Sequence, residues 1–183
     1  MTRPALRQQL LAIRARFASS VDADAANAAL ARHLTAILRE LEPELLGLYW
    51  PHQSEFNAAA ALRDDTLLAR LPMALPFARR TPPEMHYRAW DGRAPTLQDE
   101  CGIRACEGTT VVPDVVIVPC VGFTAEGFRL GYGGGYFDRW LALHPGVTTV
   151  GVAWSIAEIA PGGFEPQPHD LALTLVVTER GVV

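Results

Sequence analysis

Residues 129 to 140, "RLGYGGGYFDRW", place four glycines in five consecutive positions and bracket them with Arg129 and Asp138. A glycine held in regular structure forgoes roughly 0.5–1 kcal/mol relative to alanine, and a plain turn needs only one or two. Successive glycines leading into a helix leave several backbone N–H groups unblocked at its positive end, which suits an anion. Arg129 adds a full charge and a bidentate fork for phosphate. Asp138, in the first helical turn, favours the helix dipole; beside a phosphate it also suits a divalent cation held between the two. The stretch therefore reads as a phosphate cradle, with a structural turn as the alternative. It is not a lysine-dependent phosphate loop, because Tyr136 stands where Gly-Lys-Ser/Thr would end. Nor is it a dinucleotide fingerprint, whose third glycine is spaced differently.

Other residues able to do chemistry are scattered. Glu55 follows "YWPHQS" just beyond a strand end, where a carboxylate can hold a polar ligand or simply sit in a solvated loop. Trp50 and Trp90 can stack on a planar ring or fill a core. His169-Asp170 closes the Pro/Gly-rich segment 161–168, as a turn or as a second carboxylate for a metal. The histidines do not cluster, and no Ser/His/Asp arrangement is legible. All 16 basic residues are arginines, so Schiff-base chemistry is excluded.

The elements that must position these residues follow from periodicity. Leu6, Leu10, Ile13 and Phe17 recur at helical spacing, with Arg3, Arg7 and Arg14 expected on other faces. Asp22 is placed to cap a second helix running to Leu41, which stops before Pro43. Residues 45–50, 73–77, 115–121, 148–154 and 171–179 read as strands, and 56–71 and 136–143 as helices. Segment 78–113 is expected to be mostly loop, with a short strand at 85–90. Strands alternating with helices predict an α/β fold: one three-layer, Rossmann-like domain over 1–183, its mostly parallel sheet flanked by helices. Ligands of such sheets sit beyond the carboxyl ends of the strands, which directs attention to the segments after Tyr49, Val121 and Ala153.

Composition narrows the class. With 49% hydrophobic and 20% charged residues and a formal net charge of −4, the chain is expected to bind neither nucleic acid nor a membrane surface. Cys101, Cys106 and Cys120 lack the short paired spacings of a zinc site, and an odd number fits a reducing, cytoplasmic setting. The apolar run around Val115–Val121 is broken by Pro119 and too short to span a bilayer. Four arginines precede the first acid, Asp22; a helix with a basic face accounts for them better than a transit peptide.

Taken together, the residues resemble the 5-formyltetrahydrofolate cyclo-ligase family, also called methenyltetrahydrofolate synthetases. The resemblance rests on R-L-G-x-G-x-G-Y-x-D-R at 129–139, preceded by P-D-x-x-x-V-P at 113–119 and the "GF" at 122–123. "RPALRQQLLAIR", "GLYWPHQSE", "MHYRAW", "VGVAW" and "PHDLALTLVVTE" also fall where the family has counterparts. The resemblance implies an ATP- and magnesium-dependent ring closure of 5-formyltetrahydrofolate to 5,10-methenyltetrahydrofolate, with ADP and phosphate released. It implies that Arg3, Arg7, Arg129, Gly131, Tyr132, Gly133, Gly134, Gly135, Tyr136 and Phe137 bind ATP. Trp50, Glu55, Trp90 and Tyr136 are implied to hold the folate, and Asp138 and Asp170 the magnesium. No general base is assigned. The expected partners are the two small molecules alone, and the chain is expected to be a monomer.

Several residues depart from the family pattern. Arg3 replaces a usual Lys, Gly134 a Lys of some members, Phe137 a frequent Tyr, Ala157 a common Gln and Asn57 a common Asp. The changes at 57 and 157 bear on folate affinity more than on ATP. Two other functions fit the residues less fully: a phosphosugar isomerase-like enzyme that binds an anion without ATP, and a non-catalytic folate or nucleotide binder.

Overall fold

The strand Val115–Pro119 is buried at every position, and its side chains alternate between two separate cores. Val115 and Ile117 join one apolar cluster, Val116 and Val118 the other, so the sheet must be covered on both faces. A computed structural model of the chain, describing residues 1–183, shows how.

In chain order the elements are α1 (Arg3–Ala18), α2 (Ala23–Leu41), β1 (Leu46–Gly47), α3 (Ala58–Leu62), β2 (Met73–Arg79) and β3 (Glu84–Trp90). Short strands β4 (Leu97–Gln98), β5 (Arg104–Ala105) and β6 (Thr110–Val111) lead to β7 (Val115–Pro119). Then come β8 (Gly122–Phe123), β9 (Arg129–Leu130), α4 (Tyr136–Leu143), β10 (Thr148–Val152), β11 (Leu175–Thr178) and β12 (Gly181–Val182). The central sheet has eight strands in the order β12-β11-β10-β7-β1-β2-β3-β6. Strands β11, β10, β7, β1 and β2 run parallel, in register Val150↔Ile117 and Leu46↔Val115, while antiparallel pairing adds β12 at one edge and β3, then β6, at the other. One face is covered by α2 and α3, whose Leu30, Leu34, Leu38 and Leu62 are fully buried. Trp140 and Leu141 of α4 cover the other. The expected α/β architecture with a mostly parallel sheet is present.

Local chemistry sets the element ends. The Thr2 side chain accepts from the Ala5 N–H and opens α1, with Pro4 in the first turn. Asp22 occupies the N-cap position of α2 but makes no capping hydrogen bond, contrary to expectation; Asp24 in the first turn supplies the favourable charge. That helix ends at Glu42, whose φ of 47° is left-handed, immediately before Pro43.

Three expectations are corrected. The helix expected over 56–71 is only α3, capped by Asn57, followed by a single 3₁₀ turn at Leu68–Arg70. Asp65 breaks it by accepting from the Leu67 and Leu68 N–H groups at 3.0 and 3.1 Å, a local bond that competes with helix. The strand expected from 171 starts at Leu175, because Leu173 donates its N–H to the Gly127 carbonyl instead. Segment 78–113 is more ordered than expected: β3 pairs with β2 over seven residues, and β4, β5 and β6 follow. No helix is long and apolar enough to cross a membrane.

Candidate functional site

Beyond the carboxyl ends of β1 and β7 lies a cleft of about 930 Å³, within the usual range for small-molecule sites. One wall is the glycine stretch between β9 and α4. The N-terminal turns of α1, the segment Tyr49–Glu55 and the loop 167–171 complete the rim.

The bareness of the glycine stretch has a specific cause. A Cβ on Gly131 would stand 2.5 Å from Nη1 of Arg129, and one on Gly133, whose φ is +93°, would stand 3.2 Å from the Arg7 guanidinium. At Gly135 (φ +64°) it would meet Arg139 Nη1 at 2.8 Å, and at Gly134 the Tyr136 ring at 2.9 Å. The glycines thus let three guanidinium groups lie against the loop backbone. Arg7 donates from Nε to the Gly131 carbonyl at 2.7 Å, and Arg139 from Nη2 to the Gly134 carbonyl at 2.8 Å. The N–H groups from Gly133 to Asp138 donate no backbone hydrogen bond, and Gly135 opens α4 in the left-handed region without a side-chain cap. Unpaired donors, a helix N-terminus and clustered guanidinium groups are together the chemistry that suits an anion.

The aspartates meet arginines. Arg129, 6% exposed, donates from Nη2 to Asp138 Oδ1 at 3.1 Å, and its Nε is buried without a partner. Arg3 engages both oxygens of Asp170 and donates from Nη2 to the Glu165 carbonyl at 2.9 Å. Burial alone would raise the Asp170 carboxyl. The bonds from Arg3 and the Gln167 N–H, with the charges of Arg3 and His169, outweigh burial and lower it below the ordinary value. Asp138 and Asp170 both line the cleft, but no group of three or more His, Cys, Asp or Glu residues gathers there or elsewhere as a complete metal centre.

Glu55 lines the same cleft and is tied to the glycine loop. Its Oε2 accepts from the His52 N–H at 2.7 Å and its Oε1 from the Tyr132 hydroxyl at 2.8 Å. Burial, the largest influence, raises the Glu55 carboxyl above the usual carboxylate value against the pull of these donors and of Arg14. Burial, reinforced by Glu55, also pushes the Tyr132 phenol up, so Tyr132 remains a donor.

Of the residues singled out in sequence, Arg3, Arg7, Trp50, Glu55, Arg129, Gly131–Phe137, Asp138 and Asp170 all line this one cleft. Trp90 does not. It packs edge-on against Trp50 at 6.1 Å and donates its indole N–H to the Arg93 carbonyl, so its contribution is to buttress Trp50. Ala157 lines a separate small cavity, and Asn57 is occupied in capping α3. Arg3, Arg7 and Arg14 do not scatter over α1. Their spacing of four and seven residues puts them on one stripe, with Arg3 and Arg7 in the cleft and Arg14 buried behind it. That spacing was the legible signal for Arg14, which sequence reasoning missed. Arg139 was missed as well, although it closes the glycine motif. Cys101, whose Sγ lies 3.2 Å from the Tyr136 hydroxyl, had no signal beyond its type.

The model of the 5-formyltetrahydrofolate cyclo-ligase family matches residues 1–179. A 5-formyltetrahydrofolate cyclo-ligase of Mycoplasma pneumoniae is 36% identical over 68 residues, which are 37% of this chain and 40% of that protein. One from Mycolicibacterium smegmatis is 37% identical over 71 residues, 38% of this chain and 36% of the relative. Among solved structures, a 5,10-methenyltetrahydrofolate synthetase from Mycoplasma pneumoniae superposes with a TM-score of 0.76 at 23% identity, covering 98% of this chain and 99% of its own. The NMR structure of the Aquifex aeolicus 5,10-methenyltetrahydrofolate synthetase gives 0.74 at 26% identity, covering 100% of this chain and 92% of its own.

Proposed function

The chain belongs to the 5-formyltetrahydrofolate cyclo-ligase family, and from that membership we propose that it is an enzyme that closes 5-formyltetrahydrofolate to 5,10-methenyltetrahydrofolate at the expense of ATP. The observation that carries the proposal is the single cleft in which the arginine-studded glycine loop faces Glu55.

The loop fits a triphosphate because its glycines leave backbone donors open where side chains would block them. Arg3, Arg7 and Arg129, the backbone from Gly131 to Gly135, and Tyr132, Tyr136 and Phe137 would hold the ATP. Glu55 would accept two N–H donors from the aminopyrimidine edge of the folate, with Trp50 and Tyr136 against the flat ring and Trp90 behind Trp50. Asp138 and Asp170 suit magnesium, which keeps water and phosphate oxygens among its ligands and so needs no third carboxylate. Bound there, the ion would neutralise phosphate charge.

In the reaction the formyl oxygen attacks the γ-phosphorus of ATP and ADP departs. N10 then attacks the formyl carbon, its proton passes to solvent, and the carbon–oxygen bond breaks to release phosphate. Nothing in this sequence requires a protein nucleophile. The work left to the protein is alignment and charge stabilisation, which Arg129, Arg7 and the free N–H groups are suited to do. We further propose that the chain acts as a monomer, as one domain, in the cytoplasm.

The test is the absorbance of methenyltetrahydrofolate in the presence of 5-formyltetrahydrofolate, ATP and magnesium. An enzyme of this function forms product only with ATP present. A phosphosugar isomerase-like protein gives none, and a non-catalytic relative binds both ligands without turnover.

A further inference from the structure

Glu55 does not stand alone in the wall of the cleft. Behind it lies Arg14, 4% exposed, on the third turn of the α1 stripe that carries Arg3 and Arg7. Arg14 donates from Nη2 to the Tyr132 hydroxyl oxygen at 2.5 Å and from Nε to Ser54 Oγ at 3.2 Å. Its Nη1 reaches no hydrogen-bond partner and lies 4.0 Å from Glu55 Oε1. Tyr132 in turn donates to that same Oε1. The chain Arg14–Tyr132–Glu55 therefore ties α1 and the glycine loop to the carboxylate proposed to hold the folate.

Arg14 does not line the large cleft. It lines, with Glu55, Tyr49 and Cys120, a cavity of about 10 Å³, which is too small for a substrate. Its influence must pass through its neighbours. We infer that Arg14 is a positioning residue which, directly and through Tyr132, keeps Glu55 a carboxylate aimed into the cleft. The inference rests on the assignment of Glu55 to the folate site.

The electrostatic need is plain. The Glu55 side chain is 4% exposed, and a carboxyl so placed favours its neutral form unless a charge compensates it. The groups that face it are Arg14 from α1, Tyr132 from the glycine loop, Tyr49 after β1, Cys120 after β7, and His52 on its own loop. Burial holds the Tyr49 phenol well above its usual value and pushes the Cys120 thiol up to about 12, so neither supplies charge near neutrality. Arg14 is the one permanently charged member of the set.

The test uses the full chain. The ¹³C carboxyl resonance of Glu55, assigned by its loss in Glu55→Gln, is titrated without ligand in wild type, Arg14→Gln, Arg14→Lys and Tyr132→Phe. Folate affinity is measured over the same pH range. Arg14→Gln is expected to raise the Glu55 midpoint by about 1–3 pH units, the effect of removing an opposite charge at this range. The acid limb of folate binding should move with it, and Arg14→Lys should restore most of the shift. Should Arg14→Gln fail to fold, Tyr132→Phe keeps the arginine in place and should still raise the midpoint, by less. An unmoved Glu55 midpoint overturns the inference while leaving Glu55 as a folate residue. A midpoint that moves without any change in folate binding also overturns it, and locates the error in the assignment of Glu55.

Discussion

Arg129 and Asp138, nine positions apart in the chain, are bonded to each other at 3.1 Å. Arg3 and Asp170 form a second such pair on the same rim. In each case a residue proposed for phosphate holds a residue proposed for metal. On that proposal a triphosphate would compete with the carboxylate for the guanidinium, and the released carboxylate would be free to bind a cation. ATP and magnesium should consequently bind with mutual dependence. Asp138→Asn is expected to raise the magnesium concentration for half-maximal turnover, and Asp170→Asn to do so more mildly. If the pairs are purely structural, magnesium titration of both variants gives unchanged curves and only thermal stability falls.

Arg129→Ala removes a buried charge that sits against the backbone of Gly131. ATP affinity is expected to fall by at least about 1.5–3 kcal/mol, the scale of a charged hydrogen bond. Calorimetry showing equal affinity in the two proteins removes Arg129 from the phosphate site.

Glu55→Gln should impair folate binding and leave ATP binding nearly intact, because an amide cannot accept two N–H donors as a carboxylate does. The sign of the pH dependence follows from the raised Glu55 carboxyl. Burial favours its neutral form more in the folded than in the unfolded chain, so its stabilising contribution is complete below the unfolded carboxyl value. That contribution is lost as pH rises through the higher folded value. If Glu55 holds the folate as proposed, binding uses the ionised form, so folate affinity should rise with pH through that same folded value and then level off. In Glu55→Gln that limb should be missing.

Much of this site was legible because glycine, arginine and aspartate at 129–139 have few joint uses, and because strand–helix alternation places ligands at one sheet end. The helix over 56–71 was misread because the Asp65 turn is a local side-chain bond that apolar periodicity does not register. The partnerships Arg129–Asp138 and Arg3–Asp170 were invisible for a different reason. Each residue was matched to an absent ligand, and sequence carries no information on which opposite charge meets it first. From its type Trp90 reads as either ring-stacking or core, and the resemblance implied the folate; only tertiary packing puts it behind Trp50.

Gly133→Ala should be damaging twice over. The residue has φ of +93°, and a Cβ there would press on the Arg7 guanidinium at 3.2 Å. Backbone strain of about 1–3 kcal/mol should lower the melting temperature, and displacement of Arg7 should weaken ATP. Gly146→Ala, where a Cβ meets nothing within 4 Å, is the control and should change neither. Equal behaviour of the two variants would mean that the cradle tolerates a side chain.

The claim on which the account depends is that the cleft transfers a phosphoryl group from ATP directly to the formyl oxygen of the folate. It is tested by supplying 5-formyltetrahydrofolate labelled with oxygen-18 in the formyl group, with ATP and magnesium, and analysing the released phosphate by mass spectrometry. The account predicts that the label appears in inorganic phosphate in step with methenyltetrahydrofolate formation, and that neither appears without ATP. Unlabelled phosphate alongside product, or product formed without ATP, would contradict it.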